Sequence, residues 1–170
     1  MEINGKGLME IYFYYSNDLT KLAIAKYCPN LKSLYTLFED DELETLKVIL
    51  NSCQQLERIK VMCGNWKRRR GGLDLNDREL LENIAKHSPK TFYELKIIHT
   101  YGVKSELDSK ELESFFISWT NRIPISFIII RESEDPNSFV DKKENMKVIE
   151  KYIKLCVIKK LKIHKQNYMI

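Results

Sequence analysis

The residues of this chain that could perform chemistry are few and scattered. Its three histidines, His87, His99 and His164, fall in different segments, without clustered acids beside them. No nucleophile elbow, phosphate-binding loop or dinucleotide glycine pattern occurs. His87 lies at a predicted helix end, where its side chain can stabilise the last carbonyl groups. His99 and His164 lie at predicted strand ends, where we expect them to be solvated. We therefore expect a protein that is not an enzyme, with no catalytic residue and no cofactor.

The four cysteines, Cys28, Cys53, Cys63 and Cys156, have neither a CxxC spacing nor a histidine at metal-ligand spacing. This pattern argues against a zinc site and against thioredoxin-like redox chemistry. Without a visible secretory signal, four cysteines fit a reducing compartment, where free cysteine behaves as a small apolar residue. We expect buried, unreactive thiols and no metal site.

A run of basic residues, Lys67–Arg70, follows Trp66 and precedes two glycines. Such a run can bind nucleic acid or act as a short nuclear-import signal. One four-residue cluster, however, lacks the spread of positive charge and the repeated aromatic residues that nucleic-acid grooves use. The sequence therefore favours a basic loop inserted between two structural units, at residues 64–75.

Composition places the chain among ordinary globular domains. The 170 residues include 28 Lys and Arg against 24 Asp and Glu, a net charge of +4, and 44% are hydrophobic. These values exclude a disordered or collagen-like chain. No secretory signal is visible, and the most apolar stretch, Ile123–Ile130, is too short to cross a bilayer. We expect one soluble domain in the cytoplasm or nucleus, with no membrane partner.

A polar cap, an apolar helical stretch, a short break and an alternating strand recur along the chain. Helical apolar spacing predicts helices over 18–28, 41–53, 76–88, 108–120 and 142–155. Capping-box spacing supports three of the helix starts, at Asp41 with Glu44, Asn76 with Glu79, and Asp108 with Glu111. Strand patterns occupy 11–15, 31–37, 56–63, 93–99, 125–131 and 158–164.

Alternation of strands with helices predicts parallel strands joined by right-handed crossovers. The strands Leu56–Cys63 and Tyr93–His99 alternate apolar with charged residues, which indicates that helices cover only one face of the sheet. This pattern disfavours a doubly wound sheet. It predicts an α/β fold, a leucine-rich-repeat-like right-handed solenoid (horseshoe), with a curved parallel sheet of about six strands and about five helices on the convex side.

Strict alternation also predicts which residues lie on the open, concave face of that sheet. The candidate protein-binding residues are Tyr35, Arg58, Lys60, Met62, Lys96, Ile98, Ile128, Ile130, Lys160 and Lys162. Five of them are cationic, and Glu94 is the one acid predicted on this face. The face is therefore either a solvated surface kept soluble by its lysines or a binding surface for an acidic segment of a protein partner.

Three motifs carry a resemblance to a known family. Cys53-x-x-Leu56-x-x-Ile59-x-Val61, Cys28-x-x-Leu31-x-x-Leu34 and the looser Phe92-x-x-Leu95-x-Ile97 resemble the cysteine-containing leucine-rich repeats attached to F-box proteins. The phrases CPNLKSLYT and ELETLKVILNSCQQLERI are similar to the C-terminal half of a large fungal group of these proteins. The resemblance implies delivery of substrates to a cullin-type ubiquitin ligase. The F-box segment itself is not visible.

We therefore expect a single leucine-rich-repeat domain over residues 1–170, lacking the N-terminal F-box and cap of this family. Its expected function is protein binding, as the substrate-recognition part of an F-box-type cullin ubiquitin ligase, with the ligase adaptor as a partner only if an F-box lies upstream. The alternative is a stand-alone protein-interaction scaffold with no ligase connection. A nucleic-acid-binding module ranks third.

Overall fold

The computed structural model describes residues 5–13, 18–38, 42–63, 75–99, 105–132 and 138–166. Within these ranges the chain forms six strands, β1 Glu10–Tyr12, β2 Ser33–Leu37, β3 Arg58–Cys63, β4 Glu94–His99, β5 Ile125–Glu132 and β6 Ile158–Gln166. It also forms five α-helices, α1 Asp18–Tyr27, α2 Leu43–Ser52, α3 Asp77–His87, α4 Ser109–Trp119 and α5 Lys143–Lys154. The basic run Lys67–Arg70 lies outside the described residues.

The strands form one parallel sheet in the order β1-β2-β3-β4-β5-β6. Each strand thus pairs with its neighbours in the chain, and consecutive helices contact each other from α1 through α5. The predicted α/β class, the six parallel strands and the five helices are confirmed. β1 ends at Tyr12 and is therefore shorter than the predicted strand over 11–15.

The helix starts bear out the predicted caps only in part. At α4 the Asp108 carboxylate accepts from the Lys110 and Glu111 amides, and Glu111 accepts from the Asp108 amide, which completes the capping box. At α3 the Asn76 side chain accepts from the Arg78 amide. The predicted cap Asp41 lies outside the described residues, and α2 starts after Glu42, which makes no side-chain capping hydrogen bond.

One continuous core joins the inner face of the sheet to the helices. It includes Leu34, Ile59, Leu95 and Phe127 from β2 to β5, together with the buried faces of the helices. Among the described helices, none is long and apolar enough to cross a membrane.

Three of the four cysteines are part of this core, as expected. Cys28, Cys53 and Cys63 are buried, and burial raises the pKa of the Cys53 thiol to about 11, which makes that thiol a poor nucleophile at neutral pH. The expectation is wrong for Cys156, which is exposed. This residue lies in the turn between α5 and β6 with a φ of 59°, so the turn presents its side chain to solvent.

Candidate protein-binding face

Strand register determines which side chains meet on the side of the sheet opposite the core. We call this side the open face. It carries a line of residues, one from each strand, that are aligned by the register of neighbouring strands. We call this line the central row: Tyr12, Tyr35, Lys60, Lys96, Ile128 and Lys162.

Two of the five predicted cations of the open face already have acidic partners. Arg58 Nη2 lies 3.0 Å from Glu10 Oε1, on β1. Lys96 Nζ lies 2.9 Å from Glu94 Oε1, two residues earlier on β4. These half-exposed pairs contribute little to stability, but they neutralise much of the charge that the sequence assigns to β3 and β4.

Lys60 is different, because no carboxylate of the described residues forms an ion pair with it. Its Nζ lies 4.2 Å from the centroid of the Tyr35 ring, a cation–π contact. Partial burial, and then the neighbouring charge of Lys96, lower the pKa of Lys60 below its ordinary value. An anion at this position would oppose both effects, because its charge stabilises the protonated ammonium group.

The aromatic end of the central row is open to solvent. Tyr12 is 66% exposed, and its ring meets the Tyr35 ring edge-on with the centroids 6.0 Å apart. Large exposed aromatic side chains are among the residues in which binding surfaces are enriched. At the other end of the sheet, Lys160 and Lys162 are exposed on β6, and neither forms an ion pair within the described residues.

Three of the predicted binding residues are not accessible. Met62 is 6% exposed, Ile98 0% and Ile128 6%, so their assignment to an exposed surface is wrong, whereas Ile130 is half-buried. The burial patterns of β3 and β4 alternate at first and end in three successive buried residues. The sheet is therefore covered on both faces at the carboxyl ends of β3 and β4. The continuous apolar runs there are the signal that could have shown this.

A buried polar cluster lies at that same edge of the sheet. His99, the last residue of β4, places Nε2 3.0 Å from Asp77 Oδ1 at the start of α3. Ser138 Oγ lies 2.8 Å from His99 Nδ1. All three residues are at most 6% exposed. The expectation of a solvated His99 is therefore wrong, because Asp77 and Ser138 occupy both of its ring nitrogens inside the protein; His164 is exposed as expected.

This cluster has the hydrogen bonds of an acyl-transfer triad, but a substrate cannot reach its serine oxygen. A nucleophilic serine needs a base, an exposed oxygen and nearby donors for a developing oxyanion. Ser138 has the base, yet it is only 5% exposed, and its amide donates to Asp141 Oδ2. The arrangement therefore suits a structural tie between β4, the start of α3 and the turn before α5.

Sequence reasoning missed this cluster because its members are far apart in the chain. Asp77 and His99 are 22 residues apart and His99 and Ser138 are 39 apart, so no local motif marks them. Within the described parts of the chain, no group of three or more metal-ligating side chains is placed to hold a metal ion.

Comparisons of the chain with models of known protein families and with curated proteins each found no match. The resemblance to F-box-linked leucine-rich repeats therefore depends on the motif residues of this sequence alone.

Proposed function

We propose that this chain is a protein-binding module, the substrate-recognition part of an F-box-type cullin ubiquitin ligase, and that its open face binds an acidic segment of the substrate. The observation that carries the binding proposal is Lys60, which lies between Tyr35 and Lys96 and forms no ion pair with any carboxylate of the described residues. The exposed Tyr12 lies next to Tyr35 in the same row. The ligase connection is supported by the repeat motifs, and an adaptor is a partner only if an F-box lies upstream. The protein acts in the cytoplasm or nucleus and not as an enzyme.

The architecture that we propose for the module is a leucine-rich-repeat-like right-handed solenoid. Two features support it. The strand order never reverses, whereas a doubly wound sheet has a point at which it does. Contacts between consecutive helices repeat along the chain from α1 to α5, as they do when each repeat packs on its neighbours. Small-angle scattering that fits an elongated, curved particle would agree, and a spherical profile would not.

The binding proposal is tested by partner capture with matched variants. The purified wild-type chain is used to capture proteins, and each candidate is then measured against Lys60→Glu/Lys162→Glu and against the helix-face control Lys86→Glu/Lys154→Glu. We expect the open-face variant to slow association and the control to leave it unchanged, because charge on a binding surface accelerates encounter. If the control loses binding while the open-face variant keeps it, the partner uses the helix side and the proposal is wrong.

A second experiment separates the ligase role from that of a stand-alone scaffold. The abundance of a validated partner is followed in cells with and without the protein, and with the proteasome inhibited. A partner that accumulates when the protein is removed, and that inhibition also stabilises, supports substrate recognition for a ligase. A partner whose abundance does not change supports the scaffold.

A further inference from the structure

The central row places an apolar surface next to Lys60, a cation that has no ion-pair partner among the described residues. Tyr12 and Tyr35 are in ring contact, and Lys60 lies next to Tyr35 in the register. Two cations near Lys60 are already paired, Arg58 of the same strand with Glu10 and Lys96 of β4 with Glu94. Lys60 is therefore the point on the first four strands at which a partner gains most by supplying an acid.

The spacing of these groups matches an extended chain that crosses the strands. Neighbouring strands lie about 4.8 Å apart, so the midpoint between Tyr12 and Tyr35 is one and a half strand spacings, about 7 Å, from Lys60. In an extended segment, side chains on one side recur every two residues, about 6.6 to 6.8 Å. One side of such a segment can therefore contact the tyrosines and Lys60 at once.

Solvent exposure favours the Tyr12 end of the central row over the Lys162 end as the place where a partner binds. Tyr12 is 66% exposed and available for apolar contact, whereas Ile128, the apolar member nearest to Lys162, is 6% exposed. An apolar side chain of a partner gains contact area only where the protein surface is accessible. The exposed Met9, adjacent to β1, adds apolar surface near Tyr12.

We propose that the open face recognises an extended segment in which an apolar residue lies two positions from an Asp or Glu, the apolar side chain packing on Tyr12 and Tyr35 and the carboxylate contacting Lys60. This inference rests on the proposed function and specifies its substrate class. A carboxylate at Lys60 also raises the lowered pKa of that lysine, which gives a readout independent of affinity.

The experiment selects peptides from a displayed random library on the purified wild-type chain. The affinities of one selected peptide and of its Glu→Gln and apolar→Ala forms are then measured. Each peptide is tested on the wild type, Lys60→Met, Tyr12→Ser and the control Lys86→Met. Thermal unfolding confirms that each protein variant is folded. We expect selected peptides to share the apolar-x-acid spacing. Lys60→Met and the Glu→Gln peptide should each weaken binding about tenfold, and together they should cost no more than either alone. Lys86→Met should bind as the wild type does.

Two results would overturn the inference. Selected peptides that lack the spacing, or that bind Lys60→Met as tightly as the wild type, would show that recognition lies elsewhere. If such peptides lose affinity for Lys162→Met instead, the open face still binds them and only this inference fails. A library that yields no peptide also overturns it, while partner capture decides the proposed function separately. In the complex, NMR titration should give a higher pKa for Lys60 than in the free protein.

Discussion

Replacing Asp77 tests whether the buried polar cluster stabilises the fold. Asp77 and His99 are 5% and 6% exposed, with 3.0 Å between Oδ1 and Nε2. Asp77→Ala leaves the His99 nitrogen buried without its acceptor, which costs about 1–3 kcal/mol for a neutral group and about 3–5 kcal/mol for a broken buried ion pair. We expect a loss of about 3 kcal/mol. Asp77→Asn keeps an acceptor oxygen and should lose about 1 kcal/mol.

The pH dependence of the free energy of unfolding gives a second, independent measure of the Asp77 contribution. Burial alone would raise the pKa of Asp77, but the hydrogen bond and the charge of His99, together with the side chains of Ser105 and Cys63, outweigh burial and hold this pKa below its ordinary value. A carboxylate whose pKa is lower in the folded state stabilises the protein above the unfolded pKa of about 3.9. That stabilisation is lost as the pH falls through the folded pKa. The contribution of the Asp77 charge should therefore be present above about pH 5 and be lost progressively as the pH falls below about 4.

Urea unfolding followed by circular dichroism measures both quantities. The free energy of unfolding is determined for the wild type, Asp77→Ala, Asp77→Asn and the exposed-carboxylate control Glu150→Gln, at pH values from 7 to 3. The control should stay within about 0.5 kcal/mol of the wild type. If Asp77→Ala is as stable as the wild type at pH 7, or if its deficit is unchanged at pH 3, the cluster is not the structural tie that we infer.

Two further predictions concern the core and the reactivity of the cluster. Ile59→Asp, at a site that is 1% exposed, should unfold the protein, because a buried unpaired charge costs several kcal/mol against a total stability of about 5 to 15 kcal/mol; Ile117→Asp, at a site that is 61% exposed, should leave the thermal transition in place. Ser138 should not react with a fluorophosphonate probe, since its oxygen is buried; labelling that Ser138→Ala abolishes would contradict the proposal that the protein is not an enzyme.

The elements were predictable because their signals are local. Apolar spacing within single segments identifies α2 to α5, and the alternation of Leu34, Ile59 and Leu95 with polar neighbours identifies the strands and the core face. The caps of α3 and α4 follow from side chains within three residues of the helix start. Each of these signals depends on residues that are close in the chain, so a single sequence is enough to show it.

The polar contacts were not predictable, because they join distant segments. His99 occupies a strand end in the sequence, which is commonly solvated, and only the packing of α3 and of the turn at Ser138 around it explains its burial. Met62 and Ile98 follow the period of exposed residues, yet the carboxyl ends of their strands are covered on both faces. Alternation gives the side of the sheet on which a residue lies, but it does not show whether that side is open.

Contacts between distant segments also determine the charge of the open face, which a count of residues in the sequence does not show. They change which residues a partner can use. Counting residues gives five cations there, but Arg58 is paired with Glu10, 48 residues away, and Lys96 with Glu94. A partner that binds these two must first break an ion pair, so the net gain is small. Lys60 carries no such cost, and its contact with Tyr35 orients the ammonium group beside an apolar surface. If this face binds a partner as we propose, we therefore expect recognition to depend on the few charges that have no ion-pair partner among the described residues, and less on the net charge of the face.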